Sequence, residues 1–132
     1  MTYDDDVSRL RPEDLAPFFV GWPAAPTPEQ RLAILRGSDR VLLARDDSGR
    51  VVGFVTAISD GVLSAYIPFL EVLPEHQGAG IGSELMRRLL EELRDLYMVD
   101  LVCDPELEPF YRRFGMAPLT GMALRNRDAL SS

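Results

Sequence analysis

Apolar residues recur at Ile81, Leu85, Leu89, Leu93 and Tyr97, with Met86, Leu90 and Leu96 beside them. This 3.6-residue period predicts a helix over roughly Gly80 to Tyr97 that buries one stripe against a sheet. Arg87, Arg88, Glu91, Glu92 and Arg94 fall on the water side, with Glu84 and Arg88 at i,i+4 spacing. A second helix starts at Thr27, the expected N-cap, with Pro28 at its first position and Gln30 closing a capping box. It points Leu32, Ile34 and Leu35 inward and ends at Gly37. Before it, Pro12 to Phe19 reads as a short helix, followed by the proline-rich loop Trp22–Pro28.

Strand patterns fill the middle of the chain. Arg40–Arg45 and Val51–Ser59 flank the turn Asp46-Asp47-Ser48-Gly49 and predict a hairpin. Asp60-Gly61 turns the chain again into a third strand, Val62 to Leu73, giving an antiparallel meander. Pro68 has no N–H for the ladder, so a bulge or a loss of pairing is expected there. After the long helix, Met98 to Cys103 predicts a strand parallel to the one before it. Pro105 to Phe114 predicts a short helix stopped by Gly115, and Met116 to Arg125 a final strand or hairpin. A minimal first strand near Tyr3–Val7 completes a single α+β domain over residues 1–132.

Composition narrows the function classes. No apolar run approaches the ~20 residues that span a bilayer, and the acidic start, Thr2-Tyr3-Asp4-Asp5-Asp6, is unlike a signal peptide. One cysteine, Cys103, excludes an internal disulfide and fits a reducing cytoplasm. A net charge of -7 argues against nucleic acid and mildly favours a cationic partner. One His and one Cys leave no set of metal ligands. His76 reads as a surface residue, and Cys103 as core rather than nucleophile.

The candidate chemistry starts at Gln77-Gly78-Ala79-Gly80-Ile81-Gly82-Ser83. A strand ends here, alternate glycines turn tightly, and the long helix begins. Unpaired amides at a helix N-terminus, with the dipole positive, bind phosphate or pyrophosphate. No Gly-Lys-Ser/Thr follows, so this is not a nucleotide P-loop. The third glycine comes one residue early for a dinucleotide fingerprint, and an antiparallel meander precedes it, which is wrong for that fold. A turn that holds no ligand is the remaining alternative.

Gln77–Gly82 resembles the Q/R-x-x-G-x-G/A signature of the GNAT superfamily of acetyl-CoA-dependent N-acetyltransferases, with Val72-Leu73-Pro74 similar to the strand end that leads into it. Downstream, Asp104 to Met116 resembles the superfamily's second block, N-x-x-A-x-x-F-Y-x-x-x-G-F, with Phe110-Tyr111 and Gly115 at its spacing. The departures are Asp104 for Asn, Leu107 for Ala and Met116 for Phe. The resemblance implies a mixed twisted sheet of six to seven strands with about four helices, in which two parallel strands splay to admit the coenzyme. It implies acetyl-CoA as co-substrate and direct transfer to a primary amine in a ternary complex. A non-catalytic acyl-CoA-binding sensor of the same fold is the alternative.

The resemblance also distributes roles. Leu70, Val72 and Leu73 would present backbone to the pantetheine arm, and Gln77, Gly78, Ala79, Gly80, Ile81, Gly82 and Ser83 would hold the pyrophosphate, with Asp104 and Tyr111 also on the coenzyme side. Tyr111 is the candidate acid for the leaving thiolate. Tyr66 and Phe69 stand where many relatives carry carboxylates, which leaves Glu71 as the acidic side chain of that strand: a base, an amine anchor, or a solvent-side ion pair. Period 2 puts it on the face opposite to Leu70 and Val72. Asp60 reads as a turn residue, and water is the alternative proton acceptor. Phe18, Phe19, Trp22, Tyr66 and Met122 are acceptor-site candidates. Val20-Gly21-Trp22-Pro23 and Ser59-Asp60-Gly61 are similar to segments of plant and cyanobacterial arylalkylamine N-acetyltransferases. A small-molecule amine is therefore the leading acceptor and a protein amine the alternative, with homodimerisation left open.

Overall fold

The structure is a computed structural model and describes residues 1–130. Six strands form one mixed sheet: β1 (Thr2–Asp4), β2 (Arg40–Arg45), β3 (Val51–Ser59), β4 (Ser64–Tyr66), β5 (Leu70–Val72) and β6 (Met98–Asp100). Four helices accompany it: α1 (Pro12–Leu15), α2 (Pro28–Gly37), α3 (Ile81–Glu92) and α4 (Glu108–Arg112). The order along the sheet is β1-β2-β3-β4-β6, with β5 also paired to β3. All neighbours are antiparallel except β4 and β6, which run parallel.

The two faces of β3 explain the layers. A Cβ on Gly53 would lie 3.3 Å from Ile81 Cγ2 and Leu85 Cδ1, so α3 packs closely on that face. The next residue, Phe54, points to the other face, where its ring meets Phe18 edge-on at 5.1 Å under the N-terminal helices. Leu43, Phe54, Val55, Leu85, Met86 and Leu89 are buried between these layers.

The α2 start forms as its capping box requires: Gln30 N donates to Thr27 Oγ1 at 3.1 Å, and Thr27 N to Gln30 Oε1 at 2.7 Å. Leu32 and Leu35 are buried, whereas Ile34 is half-buried and Arg31 takes a buried place that apolar patterning did not assign. Helix α1 ends at Leu15 rather than Phe19, because Pro17 has no N–H with which to continue it.

The expected third strand is two strands. Gly53, Phe54 and Val55 of β3 pair with Val72, Glu71 and Leu70, but Ile58 and Ser59 pair with Tyr66 and Ala65, a slip of one residue in register. The slip falls on Ile67-Pro68-Phe69, where Pro68 removes a ladder donor. Strand β6 then follows β4 only as far as Asp100, whose carbonyl accepts from Ile67 N at 2.9 Å. Beyond that point β5 stays with β3, and Leu101–Cys103 runs on unpaired. A wedge opens between the two.

Other expectations are corrected. Helix α3 stops at Glu92: Leu93 is still buried but leaves helical geometry (φ -96°, ψ 8°) so that Met98 N can reach Leu63 O at 3.0 Å. Tyr97 is consequently 86% exposed and not part of the buried stripe. The strand expected to end in a core cysteine closes at Asp100, and Cys103 is exposed. The helix expected over Pro105 to Phe114 is a 3-10 turn, Pro105–Leu107, followed by the short α4. Residues Met116 to Arg125 form no strand; Leu119 and Met122 are 85% and 93% exposed. An alternating pattern cannot make a strand without a ladder partner, and none is supplied among the described residues.

Candidate functional site

Strand β5 is the spine of the site. The flanking bonds Leu73 N to Val52 O (2.9 Å) and Thr56 N to Phe69 O (3.0 Å) set its ladder with β3. Antiparallel alternation then turns the backbone groups of Glu71 toward β3 and those of Leu70 and Val72 toward the wedge. Leu73, grouped with them on sequence, instead gives its amide to β3 and is buried. Gln77 also acts on β5: its Nε2 donates to Val72 O at 3.0 Å, which ties the glycine turn to the strand.

Gly78 and Gly80 both adopt left-handed conformations (φ 83° and 82°), which an L side chain rarely accepts. A Cβ at either would meet nothing within 4 Å, so the concave side is open. The first helical bond is Glu84 N to Gly80 O at 3.0 Å, and the N-cap glycine has no side chain. The amides of Ile81, Gly82 and Ser83 are therefore left without helical partners, at the positive end of α3. This open donor set suits a pyrophosphate.

Arg113 is a neighbour that the sequence reading missed. Its Nη2 donates to Ser83 Oγ at 2.8 Å, and its guanidinium lies over the rings of Phe110 and Phe114 at 5.4 and 5.9 Å. Among the described residues it has no carboxylate partner. It adds a cation beside the turn, whereas Arg87 and Arg88 are tied to Glu84. The sequence signal was available as the adjacent pair Arg112-Arg113 after Tyr111, but only the folded structure shows which arginine reaches Ser83.

Tyr111 is half-buried, with its ring edge-on to Phe110 at 4.9 Å. Burial first, and the nearby Cys103 thiol second, push its phenol above the usual value of 10.0. It stays a protonated donor through neutral and mildly alkaline pH. The Cys103 thiol is likewise pushed up, by desolvation and then by Glu108, Asp104 and Glu106, which disfavours a thiolate nucleophile. Asp104 is exposed at the start of the 3-10 turn, where its carbonyl accepts from Leu107 N at 2.9 Å.

The face of β5 toward the N-terminal helices carries a cavity of about 380 Å³. Phe19, Trp22, Phe69 and Glu71 line it together with Pro68, and Leu70, Val72 and Gln77 carry the lining to the wedge edge of the strand. Phe19 meets Trp22 edge-on at 5.0 Å and Phe69 at 5.5 Å, so residues about fifty positions apart form one aromatic wall. Phe18 is buried against Phe54, Tyr66 sits on β4 opposite Asp100, and Met122 is in the exposed tail; none of the three lines the cavity. Period 2 holds for Glu71, which faces the N-terminal helices. Its carboxylate accepts from Phe19 N at 2.9 Å and Val20 N at 3.3 Å, and no cation pairs with it among the described residues. Opposite Phe69 on β3, the buried Thr56 hydroxyl has no hydrogen-bond partner among the described residues.

A sheet split at a parallel pair, with an amide-rich glycine turn beside the split, defines an acetyltransferase fold. The chain belongs to the acetyltransferase (GNAT) family, whose profile matches residues 7–116. It is 47% identical to a crystal structure from Deinococcus radiodurans R1, provisionally called an acetyltransferase, with TM-score 0.93 over 98% of this chain and 91% of that one. A GNAT family protein of Streptococcus pneumoniae TIGR4 is 30% identical, with TM-score 0.76 over 96% of each chain. Among curated proteins it is similar to the chloroplastic serotonin N-acetyltransferase 2 of Oryza sativa subsp. japonica, 34% identical over 86% of this chain and 61% of that protein. It is also similar to an uncharacterized N-acetyltransferase, ycf52, of Porphyra purpurea, 33% identical over 73% of this chain and 58% of that one. The chain spans about three-fifths of the length of these two curated relatives.

Proposed function

We propose that this chain transfers an acetyl group from acetyl-CoA to a small primary amine. The observation that carries the reading is that two openings meet at β5: the wedge at its free edge, with the glycine turn at its end, and the aromatic cavity on its face toward the N-terminal helices, which Leu70 and Val72 also line. Leu70 and Val72 would hold the pantetheine arm by backbone, and Gly78 to Ser83 with Arg113 the phosphates. Bound acetyl-CoA supplies the activated thioester. The protein's contribution is to orient it beside the amine, an effect worth orders of magnitude in rate. As the C–N bond forms and the C–S bond breaks, the Tyr111 phenol gives a proton to the departing sulfur, and the ammonium loses its proton to water before attack.

The cavity volume and its aromatic wall favour a small arylalkylamine over a protein chain. The test is thiol release from acetyl-CoA with phenethylamine, tryptamine, spermidine and a lysine peptide. Release with the aromatic amines and not the peptide is expected. Calorimetric binding of acetyl-CoA without thiol release from any of the four would favour the sensor instead.

A further inference from the structure

Glu71 is 52 residues from the amide it accepts, Phe19 N, and 51 from Val20 N. That pair of bonds joins β5 to the turn that carries Phe19 and Trp22. The turn needs holding. Phe19 is the non-glycine residue with a left-handed backbone (φ 62°) among the described residues, a costly conformation for a bulky side chain. It lies beyond the end of α1, where no helix bond takes its amide. The opposite side of the turn is held by Arg31, a buried guanidinium that donates to Leu15 O (3.1 Å), Ala16 O (2.7 Å) and Pro26 O (2.9 Å) and lies 5.3 Å from the Phe19 ring. Three carbonyls that flank the turn thus go to a cation on α2, and two of its amides to an anion on β5.

We infer that Glu71 is a positioning residue, not the proton acceptor: its carboxylate fixes the Phe19–Trp22 wall of the acceptor cavity to the strand that takes the pantetheine arm. Each of its oxygens is held by one backbone amide of the turn, and its main chain sits between Leu70 and Val72, whose edges face the wedge. A shift of β5 on coenzyme binding is therefore transmitted to the aromatic wall. Acceptor affinity depends on the coenzyme strand through this carboxylate, which supplies the hydrogen bonds beside the ring contacts of Phe69 with Phe19 and Trp22. The inference rests on the reading of the two openings proposed above.

The chain's one tryptophan, Trp22, stands in that wall and is 47% exposed, so its fluorescence reports the wall directly. Wild type, Glu71→Ala and Glu71→Gln are compared in the full chain. Acetyl-CoA binding is followed by calorimetry, Trp22 by emission and acrylamide quenching, and phenethylamine kinetics across pH 6–9. In wild type, acetyl-CoA should change Trp22 emission. In Glu71→Ala, Trp22 should be more quenchable without ligand, and acetyl-CoA should still bind but leave the emission unchanged. The amine KM should rise about 10- to 100-fold, the loss expected for hydrogen bonds to a charged group, with a smaller change in kcat. Glu71→Gln keeps the side chain's shape and one accepting oxygen, so it should fall between the two and keep the acid limb of the wild-type pH–kcat profile.

Loss of that acid limb in Glu71→Gln, with kcat reduced and Trp22 unchanged, would make Glu71 the base and overturn the inference. Trp22 quenching and amine KM both equal to wild type would overturn it as well. Should Glu71→Ala not fold, Glu71→Gln carries the same comparisons. If wild type takes up no acetyl-CoA in the calorimeter, the functional reading fails, while acrylamide quenching of the unliganded proteins still decides whether Glu71 holds the turn.

Discussion

The two sides of β5 are built by opposite means. The glycine-turn side is local: Gln77 to Ser83 are contiguous, their conformation follows from residue type, and the ligand-facing groups are backbone amides. The aromatic side is assembled from a distance. Phe19 and Trp22 follow α1, Phe69 follows a β-bulge, and an anion and a cation from two further elements hold the turn between them. Backbone sites tolerate side-chain change at all but their glycines. Side-chain sites change specificity with each substitution, which under the proposed function would suit a constant coenzyme at the glycine turn and a variable acceptor at the aromatic wall.

The largest expected effect separates the two sides outright. Gly80→Glu puts a Cβ at φ 82° and a carboxylate at the amide-rich end of α3. Acetyl-CoA should raise the melting temperature of wild type, by an amount equivalent to about 2.7 kcal/mol at a hundred times its Kd. In Gly80→Glu the rise should vanish, while Trp22 emission of the free protein stays at its wild-type value. Stabilisation of wild type by NADH but not by acetyl-CoA would instead return the dinucleotide reading.

Tyr111→Phe tests the chemistry between the sides. Its ring still packs on Phe110, so acetyl-CoA affinity should hold while kcat falls about 10²-fold, the low end for loss of a general acid because water substitutes. The sign of the pH dependence follows from the raised phenol: the donor is present below its shifted value and lost only above 10.0, so no activity decline from Tyr111 belongs between pH 7 and 9. An unchanged kcat with a chemistry-limited amine would leave Tyr111 a packing residue.

Trp22→Ala should act on the aromatic side alone. Removing one edge-on ring contact and the area it covers should raise the phenethylamine KM about tenfold, with acetyl-CoA affinity unchanged in the calorimeter. Equal loss of both affinities would mean that the two sides are not separable at this residue. The smallest effect has the opposite sign. Thr56→Val replaces a buried hydroxyl without a partner by a methyl of similar shape, and should stabilise the fold by about 1 kcal/mol in urea unfolding. Destabilisation would show that the hydroxyl behind Phe69 is satisfied by water.

Features legible in the sequence share one property: their causes lie within a few residues. The α2 capping box, the hairpin turn, the start of α3 and the break at Pro68 each follow from local backbone rules, and the structure has all four. The family resemblance added the splay, since no periodicity shows which strands part. Ends of elements were less legible. Helix α3 stops at Glu92 and β6 at Asp100 because the chain must meet Leu63 and Ile67, partners more than thirty residues away. The tail shows the same limit, with a strand-like pattern and no strand.

Glu71 is the sharpest case. Alternation correctly put it on the face opposite to Leu70 and Val72, but base, amine anchor and ion pair all fitted that statement. None of the three anticipated backbone amides as its partners. Nor did patterning anticipate the buried Arg31 or the bond from Arg113 to Ser83. A sequence states which residue types are present and their period; the partners of a polar side chain depend on which distant backbone groups lack bonds, and only tertiary packing decides that. The amino-acid order determined the glycine turn, because glycine conformation and helix-end amides are properties of the chain itself. The aromatic wall was decided by the folded molecule, because its hydrogen bonds and ring contacts exist only once α1, α2 and β5 are brought together.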